Sequence, residues 1–392
     1  MLKRHYVIKD DTRKRCKIVT ATPDVMSKLI AINMELFHFM YESPSIDFTL
    51  YIRAADELIE FIQPQELSHE LLDQLAAAMK KDYDDVEVCV RRGDLARYRN
   101  CMNVIRRKKI DDLIERQPDL DAKTLECFSD LSSASQMIVR GGLTEEVVER
   151  AKASAFRVVT GLMDSAVAVF SLSKMVQADP TLYDHSASVA MIAGVIASRL
   201  LRKPLNESES HEVALAGLYH DVGKTCIPNA VLNKPERFTP AEYEVMKTHT
   251  NLGHDELMDA ISKGAPIGEI VARVAMEHHE RFSGSGYPHS RRGRLEDDAD
   301  NGIHLYTRIV TIADVYSALL MKRVYKPAYE PMEAIKIMAN GANDYDPEIF
   351  IPFLETITNG LHFNRENGGG GGKGSKTGKI LIIEDGKVSK VG

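Results

Sequence analysis

The sequence predicts a multidomain, mainly helical chain with a smaller α+β module towards its N-terminus. Two observations carry that reading. Between about residues 47 and 92 apolar residues fall into short runs and alternations bounded by turn residues, the pattern of strands. From 110 to 178 and again from 183 to 363 they recur at helical spacing, interrupted by short Gly/Pro loops, with no internal repeat. At 392 residues the chain has room for two or three domains.

The elements follow in order. Phe48–Ile52 and Glu57–Ile62 read as strands joined by a turn at Ala54-Ala55-Asp56. Ser68 is placed to cap a helix whose Leu71, Leu72, Leu75 and Met79 share one face, and Val86–Val90 returns as a strand. Arg106-Arg107-Lys108-Lys109 is read as the solvated face of a helix. Gly141-Gly142 breaks the pattern, and Thr144 starts a helix reaching about Gln177, with Glu145 and Glu146 in its first turn. Ser186–Leu201 is rich in Ala, Val and Ile, but its serines and Arg199 mark a buried helix rather than a membrane span. At the end, Gly368–Gly372 with Lys373-Gly374-Ser375 reads as a flexible linker. Lys379–Gly386 resembles the first strand and acidic turn of a receiver domain, and is expected to be a remnant strand or a frayed tail.

Composition excludes several classes. Fifty Lys+Arg against 57 Asp+Glu give a net charge of −7, which argues against a broad basic face for polymeric nucleic acid. Trp is absent, leaving Tyr and Arg as stacking groups. The five cysteines are scattered without CxxC pairs, so neither a disulfide framework nor a zinc ribbon is expected. No apolar signal region follows Met1, and the expectation is a cytoplasmic protein with no membrane partner.

Seven of the thirteen histidines lie between residues 185 and 279. His220-Asp221 ends the apolar run Val213–Tyr219 and opens His220-Asp221-Val222-Gly223-Lys224, which points two ligand-type groups out of a buried helix. His249 and the adjacent His278-His279 follow, the latter at the end of another apolar run, Ile270–Met276. Imidazole and carboxylate suit Fe, Mn, Zn or Ni, and a carboxylate can bridge two ions through its two oxygens. A metal pair of this kind can hold a bridging hydroxide and clamp a phosphate. Lys224 is placed to neutralise a phosphate or protonate a leaving oxygen. The glycines before Tyr287-Pro288 let the backbone approach a ligand closely, where Tyr287 can stack on a base or bond a phosphate.

Taken together these strings resemble the HD-GYP family of bacterial cyclic di-GMP phosphodiesterases, a branch of the HD metal hydrolases. The resemblance runs from about residue 155 to 363. It is carried by His220-Asp221-Val222-Gly223-Lys224, Ile227-Pro228 with Leu232-Asn233-Lys234-Pro235, His249 with Gly253, and His278-His279-Glu280 with Gly286-Tyr287-Pro288. Ile312–Tyr316, Arg323-Val324-Tyr325-Lys326 and Tyr345-Asp346-Pro347 complete it in the family's order. It implies an all-helical domain in which His185, His220, Asp221 and Asp314 bind one metal. Asp221 would bridge to a second metal on His249, His278 and His279. Lys224 would stand beside the reacting phosphate, with Tyr287, Arg323 and Lys326 contacting the dinucleotide. Two positions depart from the pattern. Thr181 stands where some members have a third-metal Glu, which favours a binuclear site. Ser317 replaces a usual Asp. His211, His254, His289 and His304 match no ligand position and are read as surface or supporting residues.

The reading is therefore a phosphodiesterase with two divalent ions, Fe or Mn, with Ni or Zn as alternatives. The resemblance implies hydrolysis of cyclic di-GMP, with the first cleavage to linear pGpG expected to be favoured over complete conversion to GMP. A cyclic-dinucleotide receptor with little hydrolysis, or an enzyme for another dinucleotide such as cyclic GMP-AMP, are the alternatives. The expected organisation is an N-terminal regulatory module (1–140, α+β core about 47–92), a connecting helix (141–180), a catalytic domain (181–363) and a linker with tail (364–392). A homodimer through the N-terminal module or the connecting helix is a further expectation.

Overall fold

A computed structural model describes residues 17–19, 22, 25–26, 28–31, 46–54, 57–62, 73, 86–117, 120–161, 165–178, 184–232, 234, 236–293, 302–321, 328–367, 381–384 and 387–390. The chain divides into two compact units, Met1–Asp112 and Leu113–Gly392.

In the first unit, β1 (Lys17–Val19), β2 (Leu29–Ala31), β3 (Leu50–Ala54), β4 (Glu57–Ile62) and β5 (Val86–Arg91) form one antiparallel sheet ordered β1-β4-β3-β5-β2. β3, β4 and β5 are the strands expected from sequence. β1 and β2 have three residues each, too few for an alternation to register. Leu50, Tyr51 and Ile52, like Val88, Cys89 and Val90, are buried in succession, as in strands covered on both faces. The helix expected from Ser68 lies outside the described residues apart from Asp73. α1 (Leu95–Arg116) follows the sheet, and its Tyr98 meets Phe48 edge-on with ring centroids 5.5 Å apart. Arg107 and Lys108 are exposed as expected of a solvated face, but Arg106 is buried. The spacing accounts for it, since Arg106 lies one turn from the buried Met102 and one turn from the buried Ile110.

The second unit is helical. It contains α2 (Ala122–Gly141), α3 (Glu145–Gly161), α4 (Ser165–Ala178), α5 (His185–Val195), α6 (Glu207–Tyr219) and α7 (Asn229–Leu232). α8 (Pro240–Lys247), α9 (His249–Ser262), α10 (Glu269–Glu277), α11 (Leu305–Leu320), α12 (Pro331–Asn340) and α13 (Pro347–Asn367) follow, and a hairpin of β6 (Leu381–Glu384) and β7 (Lys387–Lys390) ends the described chain. Thr144 does cap α3, accepting from the Val147 N–H at 3.4 Å. Over 141–180 the described residues form α3 and α4, both inside the helical unit, and the chain divides after Asp112. The reason is the apolar face of α3. Val147, Val148, Ala151, Ala155 and Val158 are buried, and α3 packs on α2, α5 and α6.

α5 lies at the centre of this unit, packed on α2, α3, α6 and α11, and is buried from Ala187 to Val195. It continues into a π-type turn at Ile196–Leu200, so the stretch read as a buried helix is one through Ala197. Among the described residues no helix is long and apolar enough to cross a membrane. Cys89, Cys101, Cys127 and Cys226 form no disulfide.

Candidate metal centre

Helix ends deliver most of the histidines. His185 is the first residue of α5, whose N-cap Asp184 accepts from the Ala187 N–H and from Ser132 Oγ, each at 3.0 Å. α6 starts from a capping box between Asn206 and Glu209 and ends at His220, leaving Asp221 to open a 3₁₀ turn over Val222–Cys226. His249 opens α9, and His278-His279 leave the end of α10. Asp314 alone comes from mid-helix, on α11. Two glycines make the approach possible. A Cβ on Gly223 would collide with the His249 carbonyl and the Gly253 backbone, and one on Gly286 with the backbone of His279, Glu280 and Arg281.

The side chains converge on Asp221. Its Oδ2 lies 3.2 Å from His220 Nε2 and 3.8 Å from His185 Nε2, while its Oδ1 lies 3.4 Å from His249 Nε2 and 3.7 Å from His278 Nε2. Asp314 Oδ1 reaches His185 Nε2 at 3.1 Å and His220 Nε2 at 3.9 Å. Two ligand groups result, His185/His220/Asp221 and Asp221/His249/His278/His279, each with its donor atoms within 4.8 Å of one another. The carboxylate common to both offers one oxygen to each.

The surroundings of the rings fit a cation. His220, His249 and His278 each direct Nδ1 at a backbone carbonyl three residues earlier, Gly217, Met246 and Ala275, at 2.8, 2.6 and 2.8 Å. A carbonyl can only accept, so Nδ1 carries a proton in each, and in the neutral rings of His249 and His278 Nε2 presents a lone pair inward. The Nε2 atoms of His249 and His278 stand 3.3 Å apart in that state, lone pair against lone pair. His220 Nε2 and Asp221 Oδ1 are buried and make no hydrogen bond. Buried polar atoms left this way are costly, and a positive ion bound among neutral imidazoles and carboxylates removes the cost. The donors are all N and O, a set that suits Fe, Mn, Ni or Zn.

Electrostatics divide the two groups. Burial pushes His249 and His278 down, and His279 down to about 3, so these imidazoles are neutral at pH 7 as ligands must be. Burial works against ionisation of Asp221, yet Lys224 and His220 outweigh it and hold the carboxyl well below the usual range. At Asp314 burial is likewise outweighed, here by His185 and His220. For His220 burial opposes protonation, but Asp221 and Asp314 prevail and push it up.

Lys224 lies beside the pair, Nζ donating to Asp221 Oδ2 at 2.5 Å. Tyr287 stacks on His279 with centroids 4.7 Å apart and planes at 26°. Arg323, Lys326 and Thr181 lie outside the described residues. None of the four histidines set aside from the ligands joins the cluster. His211 bonds the Lys152 carbonyl, His254 pairs with Asp255, His304 caps α11, and the His289 N–H donates to Glu280.

Apart from Ser317, marked by its departure from the family pattern, sequence reasoning missed the supports. The buried Glu280 carboxylate accepts from the backbone N–H groups of His289 and Arg291 at 2.7 and 2.8 Å, closing the loop that carries Tyr287. Asp344 accepts from Ser283 Oγ and Ser285 Oγ at 2.6 and 3.2 Å and holds the same loop from the other end. On α11 Thr307 reaches Glu277, Thr311 bonds the His278 carbonyl at 2.9 Å, and Ser317 Oγ lies 2.9 Å from His185 Nδ1. With Asp314 they form a polar stripe at helical spacing on a largely apolar helix, which is the signal that points to them.

The family described as HD domain matches residues 171–349. The chain is 33% identical over 191 residues, 48% of its length, to a cyclic di-GMP phosphodiesterase of Pseudomonas aeruginosa, and covers 42% of that protein. It is 35% identical over 178 residues to a cyclic di-GMP phosphodiesterase of Thermotoga maritima, 45% of each chain. It is 33% identical over 191 residues to a 3′3′-cGAMP-specific phosphodiesterase of Vibrio cholerae, 48% of this chain and 38% of that one. The chain thus spans less than half the length of these curated relatives. Among solved structures, an HD-GYP-type protein from Bdellovibrio bacteriovorus shares the fold, with a TM-score of 0.52 at 16% identity over 84% of this chain and 99% of that one.

Proposed function

We propose that the chain, whose residues 171–349 match the HD domain family, is a metal-dependent phosphodiesterase that opens cyclic di-GMP to linear pGpG. The observation that carries this is the shared carboxylate, Asp221, between two buried ligand groups. In this reading His185, His220, Asp221 and Asp314 hold one divalent ion, and Asp221, His249, His278 and His279 hold a second, iron or manganese. When bound there, a pair of such ions supplies Lewis acidity towards phosphorus and an activated water.

The chain's own groups do the rest. Lys224, poised on Asp221, meets a phosphate oxygen and can protonate the leaving ribose oxygen. Tyr287, fixed against His279, offers a ring to a base. Arg323 and Lys326, three apart in sequence, complete the phosphate contacts. The N-terminal residues act as a regulatory or dimerising module.

A second substrate has a specific observation behind it. The relative from Vibrio cholerae named for 3′3′-cGAMP is as similar to this chain as the one from Pseudomonas aeruginosa named for cyclic di-GMP. The test is anaerobic reconstitution with Fe or Mn, metal analysis, and a product assay on both dinucleotides. Two ions per chain with pGpG from cyclic di-GMP is the expected result. Turnover by metal-free protein, or cleavage of 3′3′-cGAMP alone, would sink the reading as stated.

A further inference from the structure

α8 is an unusual neighbour for a buried centre. It is held at its start by the capping box of Thr239 and Glu242, with Lys234 Nζ on both Glu242 oxygens at 2.7 and 2.8 Å. Yet none of its residues is buried, and Tyr243 is 47% exposed. Tyr243 and Lys247 are four apart and share one face. Lys247 Nζ lies 5.4 Å from the centroid of the Tyr243 ring and 5.8 Å from that of Tyr287, the ring stacked on His279. One ammonium therefore stands by two aromatic rings at the edge of the ligand cluster, two residues before His249.

Packing does not account for this arrangement, because an exposed tyrosine on an unburied helix contributes little to a core. The ion pair of Lys247 with Glu244, 2.8 Å long, does not account for it either. Glu244 is 68% exposed, and such a pair is weak enough for an anionic ligand to displace. A cyclic dinucleotide brings two phosphates and two bases. If one phosphate occupies the metal ligands, the other phosphate and the bases need partners outside them.

Resting on the phosphodiesterase reading, we propose that Tyr243 and Lys247 form a second substrate-contacting shelf, Lys247 meeting the non-reacting phosphate and Tyr243 stacking on a base. Ammonium and aromatic ring are the pairing by which proteins hold nucleotide backbone and base together. The position of the shelf is tied to the centre. Thr250 Oγ1 donates to the Lys247 carbonyl at 3.0 Å, and the Met246 carbonyl accepts from His249.

The experiment compares wild type, Lys247→Met, Tyr243→Ala and Tyr243→Phe, each reconstituted anaerobically with Mn. Metal per chain, thermal melting, and kcat and KM on cyclic di-GMP are measured. Lys247→Met and Tyr243→Ala are each expected to raise KM about tenfold while metal content and melting stay at wild-type values. Tyr243→Phe keeps the ring and is expected to keep KM. An active wild type whose Lys247→Met and Tyr243→Ala forms retain its KM overturns the shelf alone. A wild type that turns over no cyclic dinucleotide overturns the phosphodiesterase reading and the shelf with it.

Discussion

On one side of Asp221, His249 and His278 are anchored by carbonyls three residues earlier in their own chain segments. On the other, His185 is anchored by Ser317 Oγ, a side chain 132 residues away. His220 is anchored locally, but its other neighbours are the two carboxylates Asp221 and Asp314. The imidazole-rich group is neutral and set by helix-end geometry, which hardly any substitution can remove. The carboxylate-rich group is charged and depends on a long-range contact. Asp221 joins them, and Lys224 offsets part of its charge.

The strongest way to break this comparison is to remove what the two groups share. Asp221→Ala deletes an oxygen from each, so both ions should be lost together and hydrolysis should fall on the order of 10³-fold or more. Metal analysis paired with a rate measurement decides it. One ion retained at wild-type affinity would mean that the groups are independent.

A smaller effect separates the groups. His249→Ala and His185→Ala are each expected to leave about one ion per chain and to cost about 10²-fold or more in rate, since each removes a ligand from one group only. The retained ion should differ in its surroundings, and Mn electron paramagnetic resonance on the two variants reads that difference. Identical spectra would erase the distinction between the groups.

The imidazole group was the more legible in sequence, for the same reason that it is the more locally anchored. His220-Asp221 and His278-His279 stand at the ends of apolar helical runs, His249 opens a helix, and the anchoring carbonyls come with those helix ends. Asp314 and His185 carry no comparable local mark and came to notice only through resemblance to a family. Ser317 was marked only by its departure from the same family's pattern, and Thr311 and Thr307 were harder still, because a hydroxyl in a buried helix commonly bonds its own backbone and needs no distant partner. Their common stripe with Asp314 is visible only once α11 is known to be a helix facing the centre. In the fold, β3, β4 and β5 were legible, while β1 and β2 were too short to show a period. The division after Asp112 was hidden because α3 reads as a connector until its apolar face is seen to be covered by α2, α5 and α6.

Ser317 gives the smallest and most discriminating test. Its hydroxyl lies 2.9 Å from His185 Nδ1, and this contact does for His185 what backbone carbonyls do for His249 and His278: it fixes the ring so that Nε2 faces the carboxylates. An outer partner of a metal-binding imidazole is worth about 10–100-fold in affinity or activity, and a neutral hydroxyl belongs at the lower end. Ser317→Ala should therefore weaken one metal site about tenfold and leave the other unchanged, and Ser317→Thr, which keeps the hydroxyl, should restore it. Competitive metal titration resolves the two sites. Equal weakening of both would show that Ser317 acts through general packing of α11. No change would show that the short His185–Asp314 contact orients the ring without help from Ser317.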